Sequence, residues 1–456
     1  MKKRLLFIIA LTLNCILHSY GVEINGIYYE LNSSTFQAEV VESPYDNRYS
    51  GSIDIPSTVT YGGTTYLVTQ IGFRAFYYCK DITSISIPNS LTAIRTLAFS
   101  DCTIKEIMIP DSVTSIEDRA FLNCFELKTV TMGTGIKGIG ESAFTNCSNL
   151  EKVIVKDLAS WCGIYFESMS SNPLYYAHHL YSDENTEITE LVIPDGTEIV
   201  MQNAFSRCNN INSVTIPNSV KEIGHNAFAK WDKLKSVEIP YGVTKLNGFS
   251  SCTNLSSVSI PNSVKTIGAD AFMTCQSLTS IDIPNSVEMI SEYAFKGCNN
   301  MKSITLGNGI RRIGINVFDK CKELADVYCY AESVPNTYDE TFDKSIIKNV
   351  TLHVPETSVN DYAAKDPWNG FKEIVAIPSS GIGQVSTIET FVKYDGDQLT
   401  IEGIDNGLTV ELYSLNGEKR GSAVGKNGAA RIDTNVRPGS IVVVKMGDKS
   451  VKVIVK

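Results

Sequence analysis

At 456 residues the chain is too long for one compact globule, although an array of stacked units has no such limit. Its 43% hydrophobic and 20% charged side chains exclude a disordered polypeptide. The net charge of −10 conceals a more acidic body. Residues 22–385 carry 27 basic and 41 acidic groups, −14, which argues against nucleic acid or another polyanion as the main partner.

Residues 1–21 combine Lys2, Lys3 and Arg4 with an apolar run over 5–13 and a small-x-small end at Ser19 and Gly21. That is the pattern of a secretory signal peptide cleaved after Gly21. No later run approaches the ~18 apolar residues that a membrane-spanning helix requires. Residues 22–66 alternate apolar and polar positions (Ile24, Ile27, Tyr29, Leu31) and turn at Gly62-Gly63, reading as short strands of an N-terminal cap.

Over 67–350 a unit of about 23 residues recurs, clearest in the consecutive copies 255–277, 278–300 and 301–323. Such a period is the signature of a solenoid. In its first half Val258 and Ile260 stand two apart, the period of a strand with one buried face, and Pro261 ends the strand for want of an N–H. Asn262-Ser263 is turn chemistry. The second half returns the chain with Val264, Ile267, Ala271, Phe272 and Cys275 inward. Nine of the twelve cysteines share one slot, three residues after this Phe, and Trp231 takes it after Phe228. A position accepting Cys or Trp is a buried filler, so disulfides and zinc are not expected.

The marker Phe recurs every 21 to 23 residues except between Phe144 and Phe205, 61 apart. The excess lies at 156–189 and carries Trp161, Cys162, Tyr165, Tyr175, Tyr176, His178 and His179. Solenoid insertions map to loops, often on the binding face, and aromatics supply interface hot spots. A second candidate surface is the row of outward strand positions, among them Ser257, Ser259, Asp282 and Tyr328. It is a hydroxyl-rich, weakly acidic ribbon on the order of 60 Å long at ~4.8 Å per rung.

Residues 351–377 read as a C-terminal cap that buries Trp368 over the final rung, and 378–385 as a flexible linker. Over 386–456, strands at 399–401, 408–413, 441–446 and 451–455 are separated by turns such as Asp405-Asn406-Gly407 and Asn416-Gly417. That spacing indicates a small antiparallel β-sandwich.

Catalytic chemistry has one foothold, Cys162 with His178 and His179 as a thiol hydrolase or metal pair. It also requires an orienting group and an oxyanion donor, and adjacent His residues on a strand point apart. Asp395-Gly396-Asp397 lacks the remaining ligands of a calcium loop. No catalytic residue, metal or cofactor is expected.

The unit S-V-x-I-P-N-S-V-x-x-I-G-x-x-A-F-x-x-C resembles the repeat of the BspA-type leucine-rich repeat surface proteins over about 22–377. The resemblance implies a leucine-rich repeat array with a parallel strand ladder, exported or displayed on the cell surface. It implies adhesion or recognition of proteins or glycans at host or microbial surfaces, with no binding residue that the motif itself specifies. The last 71 residues are similar to the C-terminal sorting domain of the Por (type IX) secretion system, through Gly403, residues 412–417, Ile432-Asp433, Pro438-Gly439 and the basic end. That implies the secretion machinery as a partner. The alternatives are the hydrolase just described and a purely structural surface protein.

Overall fold

The computed structural model describes residues 21–43, 48–377, 392–394, 398–402, 404, 406–414, 419–434, 436, 441–446 and 449–454. The expected signal peptide (except Gly21), the linker 378–385, Asp395-Gly396-Asp397, Gly403, Asn416-Gly417 and Pro438-Gly439 lie outside these. The chain divides into two units, residues 1–351 with 366–372, and residues 352–365 with 373–456. The first is a β-solenoid of about 13 turns of about 23 residues.

One rung shows how the sequence makes the turn. Strand Ser257–Ser259 pairs in parallel with Ser236–Glu238, and the outward Ser257 and Ser259 lie beside Ser236 and Glu238. After Pro261 the chain turns, with the Val264 N–H donating to the Pro261 carbonyl (3.2 Å). A two-residue strand, Thr266–Ile267, then joins a second parallel ladder between Lys245–Leu246 and Met289–Ile290. Leu255, Val264, Ile267, Ala271, Phe272 and Cys275 are fully buried. The expected inward set is correct.

The segment 270–274 is not a strand, and the repeat pattern gave no hint of its geometry. Asp270 and Thr274 adopt left-handed φ of 55° and 57°. With a left-handed residue at each end of the stretch, alternate N–H groups face the next rung. Asp270, Phe272 and Thr274 therefore donate to the Glu292, Ala294 and Lys296 carbonyls of the next rung (3.1, 2.8 and 2.7 Å). The pattern recurs in the first rung, where Arg74, Phe76 and Tyr78 donate to Thr96, Ala98 and Ser100. This third ladder always runs from the earlier rung's N–H to the later rung's C=O. In the shortened rung Gly248, at φ 103°, stands in the Ala slot and only Phe228 and Lys230 donate, to Gly248 and Ser250.

Inside the third ladder the marker rings stack. Phe76, Phe99, Phe121 and Phe144 lie 4.9–5.1 Å apart, and Phe205 through Phe342 continue the row at 5.2–6.0 Å. The cysteine slot does more than fill space. The thiols of Cys124, Cys275 and Cys298 donate to the Phe99, Phe249 and Phe272 carbonyls of the preceding rung (3.0–3.2 Å). Trp231 aims its indole N–H at the equivalent Phe205 carbonyl (2.7 Å). Cys and Trp interchange there because both bring a buried donor.

At the N-terminal end, Ser50–Asp54 pairs in parallel with Asp81–Ser86 and starts the first ladder, while Thr64–Ile71 starts the second. Ile27–Asn32 and Gln37–Val40 extend that sheet outward. At the other end Phe342 meets the buried Trp368 and Phe371 edge-on at 5.1 and 5.0 Å, so Trp368 closes the aromatic row. No described helix is long and apolar enough to cross a membrane.

In the second unit, strands Val392–Tyr394, Gln398–Glu402 and Ala429–Asp433 form one antiparallel sheet. Lys419–Val424, Thr409–Ser414, Ile441–Met446 and Lys449–Ile454 form another. Leu399, Ile401, Val410, Leu412, Ile432 and Val444 share one core. Lys419–Val424 and Ala429–Asp433 are strands that the turn signals did not reveal.

Candidate functional site

The outward positions of the first ladder form the expected ribbon. Ser257 and Asp282 are exposed, and Ser259 and Tyr328 half-buried. Register sets Ser280 beside Ser303 and Ser303 beside Asp326, and likewise Asp282 beside Thr305 and Thr305 beside Tyr328. Burial, with the Asp282 carboxylate adding to it, raises the pKa of Tyr330, so phenols stand beside an acidic group at that end. At two separate rungs, one near the N-terminal end of the ladder and one near its middle, the ribbon changes character. Met108 and Val192, each 59% exposed, occupy the same column as Thr131 and Thr215. These two apolar residues were overlooked, although Ile107-Met108-Ile109-Pro110 and Leu191-Val192-Ile193-Pro194 display them in the outward x of the repeat.

The insertion 156–189 is a widened rung, not a loop on one face. Asp157 caps helix Leu158–Cys162 by accepting from Ala159 N–H (3.1 Å) and from the Ser160 hydroxyl (2.5 Å), and the hydroxyl bond leads in lowering its pKa. Tyr165–Phe166 then joins the second ladder beside Gly138–Ile139, with Phe166 buried in the usual Ile slot and Tyr165 49% exposed. Leu180–Tyr181 returns to the first ladder beside Val153–Ile154.

This rung breaks the third ladder and restarts it. Of the Ser142–Asn146 stretch, Phe144 alone has a backbone bond forward, to Ser170 (3.4 Å). The carbonyls opening the next stretch are met by side chains. Trp161 Nε1 donates to Ala204 O (2.9 Å), and buried Asn172 Nδ2 donates to Asn203 O (2.8 Å) and Ala204 O (3.0 Å). Trp161, 1% exposed, thus belongs to the packing and not to an exposed recognition surface.

The other candidate residues divide. Tyr175 and Tyr176 are half-buried and meet edge-on at 5.1 Å, with the Arg207 guanidinium 4.2 Å over Tyr175. His178 ends helix Leu174–Ala177 with a left-handed φ of 61°, and burial followed by the Arg207 charge lowers its pKa. His179 turns elsewhere, its Nδ1 2.6 Å from Glu187 Oε1, which also accepts from Asn210 Nδ2 (2.7 Å). Burial raises the Glu187 pKa, but the bonds from His179 and Asn210 outweigh it and hold the carboxyl below its usual range. Cys162 is fully buried and its thiol is pushed up to about 12 by that burial. A nucleophilic cysteine needs exposure and a thiolate; Cys162 has neither. No group of three or more His, Cys, Asp or Glu suited to a metal exists among the described residues.

A family model described as BspA type leucine-rich repeat region matches in six copies over residues 69–172, 179–248 and 245–367. No curated protein sequence matches the chain. Among solved structures, a leucine-rich repeat protein from Bacteroides ovatus is 25% identical, with TM-score 0.38, 68% of this chain and 94% of that one covered. A leucine-rich cell surface protein from Faecalibacterium prausnitzii is also 25% identical, with TM-score 0.42, covering 79% and 95%. The pneumococcal vaccine antigen PcpA is 21% identical, with TM-score 0.52, covering 78% and 98%, and supports the fold. With its repeat matched over more than half its length, the chain belongs to the BspA-type leucine-rich repeat family.

Proposed function

We propose that this is a non-enzymatic recognition protein, secreted or displayed at the outer cell surface, that binds proteins or glycans of host or microbial surfaces. The observation that carries this reading is the ribbon. Its rungs present serine, threonine, acidic and aromatic side chains in register on a rigid scaffold, with exposed Met108 and Val192 on two separate rungs. Such a surface suits a macromolecule better than a small substrate. Family membership supports surface location, and the basic-apolar start at 1–21 supports export.

The test is binding of the whole chain to immobilised matrix proteins, mucins and bacterial surface preparations. Saturable binding that Met108→Asp with Val192→Asp abolishes is the expected result. No saturable binding to any preparation would leave a structural spacer as the better account. The C-terminal unit is proposed as the sorting domain, so deletion of 386–456 should strand the protein in the periplasm. Unchanged surface display would reject that role.

A further inference from the structure

The first rung carries side chains that the third ladder does not ask for. Positions flanking the buried Ala-Phe pair hold Thr96-Leu97 and Ser100-Asp101 in the second rung, and Glu141-Ser142 and Thr145-Asn146 in the fourth. In the first they hold Phe73-Arg74 and Tyr77-Tyr78. Tyr78 takes a left-handed φ of 58°, where Asp101, Asn123 and Asn146 stand in the next rungs. Later rungs set Arg207, Lys230, Ser251 and Thr274 in that conformation, so the ladder accepts varied side chains there and gives no reason of its own for an aromatic. Phe73 is 57% and Tyr78 53% exposed.

Cations are layered among these rings. Arg74 lies 4.4 Å over Tyr77 and 5.5 Å over Phe73, Arg48 5.6 Å over Tyr77, and Lys80 4.4 Å over Tyr78. Glu42 neutralises Arg48. Among the described residues neither Arg74 nor Lys80 has a carboxylate partner, and Arg74 Nε is buried without a hydrogen bond. The Arg74, Phe76 and Tyr78 N–H groups are committed to the second rung, and Tyr77 O accepts from Arg48 (2.7 Å). What the spot offers is exposed ring faces beside two uncompensated cations, on a body of net charge −14.

We infer that Phe73, Arg74, Tyr77, Tyr78 and Lys80 form a subsite for a glycan that ends in a carboxylated sugar. The inference rests on the recognition reading above and names one ligand class for it. The C–H face of a sugar stacks on Phe73 or Tyr78, and its carboxylate meets the guanidinium or ammonium, which the rings hold in place. One carboxylate on an otherwise neutral glycan suits two cations. The acidic body repels a polymer charged at every residue.

The test is biolayer interferometry of the whole chain on immobilised multivalent sialyllactose, with lactose conjugate as the neutral control and heparin as the polyanion. Sialyllactose binding that weakens roughly tenfold in both Tyr78→Ser and Arg74→Gln, with little response to lactose or heparin, is the expected result. Tyr78 is exposed and Arg74 half-buried, and an unchanged thermal midpoint confirms folding. Undiminished binding in the variants, equal binding of lactose, preference for heparin, or no binding of sialyllactose would each overturn the assignment. The same variants are tested against the matrix and mucin panel. Panel binding retained while sialyllactose binding is absent sinks this subsite alone, whereas no binding to the panel sinks the recognition reading itself.

Discussion

Asn172 gives the sharpest test of how the widened rung holds the array together. The residue is fully buried, its amide serves Asn203 O and Ala204 O, and its Oδ1 accepts from Leu174 N–H (2.8 Å). In Asn172→Ala three bonds are lost at about 1 kcal/mol each, and the buried Leu174 N–H is orphaned, for a total of about 4 kcal/mol. That is a large part of the ~5–15 kcal/mol by which folded domains are stable. The exposed turn variant Asn218→Ala is expected to stay within about 0.5 kcal/mol of the parent. Trp161→Phe removes the other side-chain donor to Ala204 O. Each single variant leaves that carbonyl one donor and the double variant leaves none, so the pair should cost about 1–3 kcal/mol beyond the sum of its parts. Urea unfolding, followed by tryptophan fluorescence and far-ultraviolet circular dichroism, measures both quantities. Because repeat arrays uncouple where an interface weakens, Asn172→Ala should also split the transition in two. A cost below about 1 kcal/mol, or strict additivity with Trp161→Phe, would refute the restart of the third ladder.

Two further outcomes follow from the cysteine slot. Burial holds the thiols of Cys147, Cys252 and Cys321 at about 12 against 9.0 when unfolded, so their contribution is complete below pH 9 and is lost as pH rises toward 12. At pH 10 each destabilises the native state by about 1.4 kcal/mol and the three together by about 4, so the urea midpoint should be level to about pH 8.5 and fall steeply beyond. A flat profile to pH 10.5 would contradict that. Trp231→Phe keeps an aromatic ring but removes the donor to Phe205 O and part of the buried volume, and should cost at least about 1 kcal/mol by the same unfolding assay. A neutral result would mean that the indole donor contributes nothing at this slot.

The parallel ladder, the inward set and the placement of Trp368 at the end of the array were legible because each follows from local pattern. Val and Ile two apart before Pro make a one-sided strand wherever they occur, and ten marker Phe residues repeat that information rung after rung. The same repetition revealed that the cysteines are core residues, though not that their thiols serve a carbonyl of the preceding rung. The outward hydroxyls were readable from strand alternation, and the same alternation places Met108 and Val192 outward, although apolar residues are the exception in that column.

The sequence by itself determined the period, the fold class and which face of each rung is buried, since a recurring unit can bury its apolar side only against copies of itself. Tertiary structure decided the rest. Left-handed backbone at 270 and 274 is set by carbonyls of the next rung, and residue types as different as Tyr78, Asn146 and Thr274 accept it. Residues 156–189 became a rung through Trp161 and Asn172, whose partners lie 43, 31 and 32 residues away. Those contacts occur once among the described residues, and a contact made once leaves no period for a sequence to display.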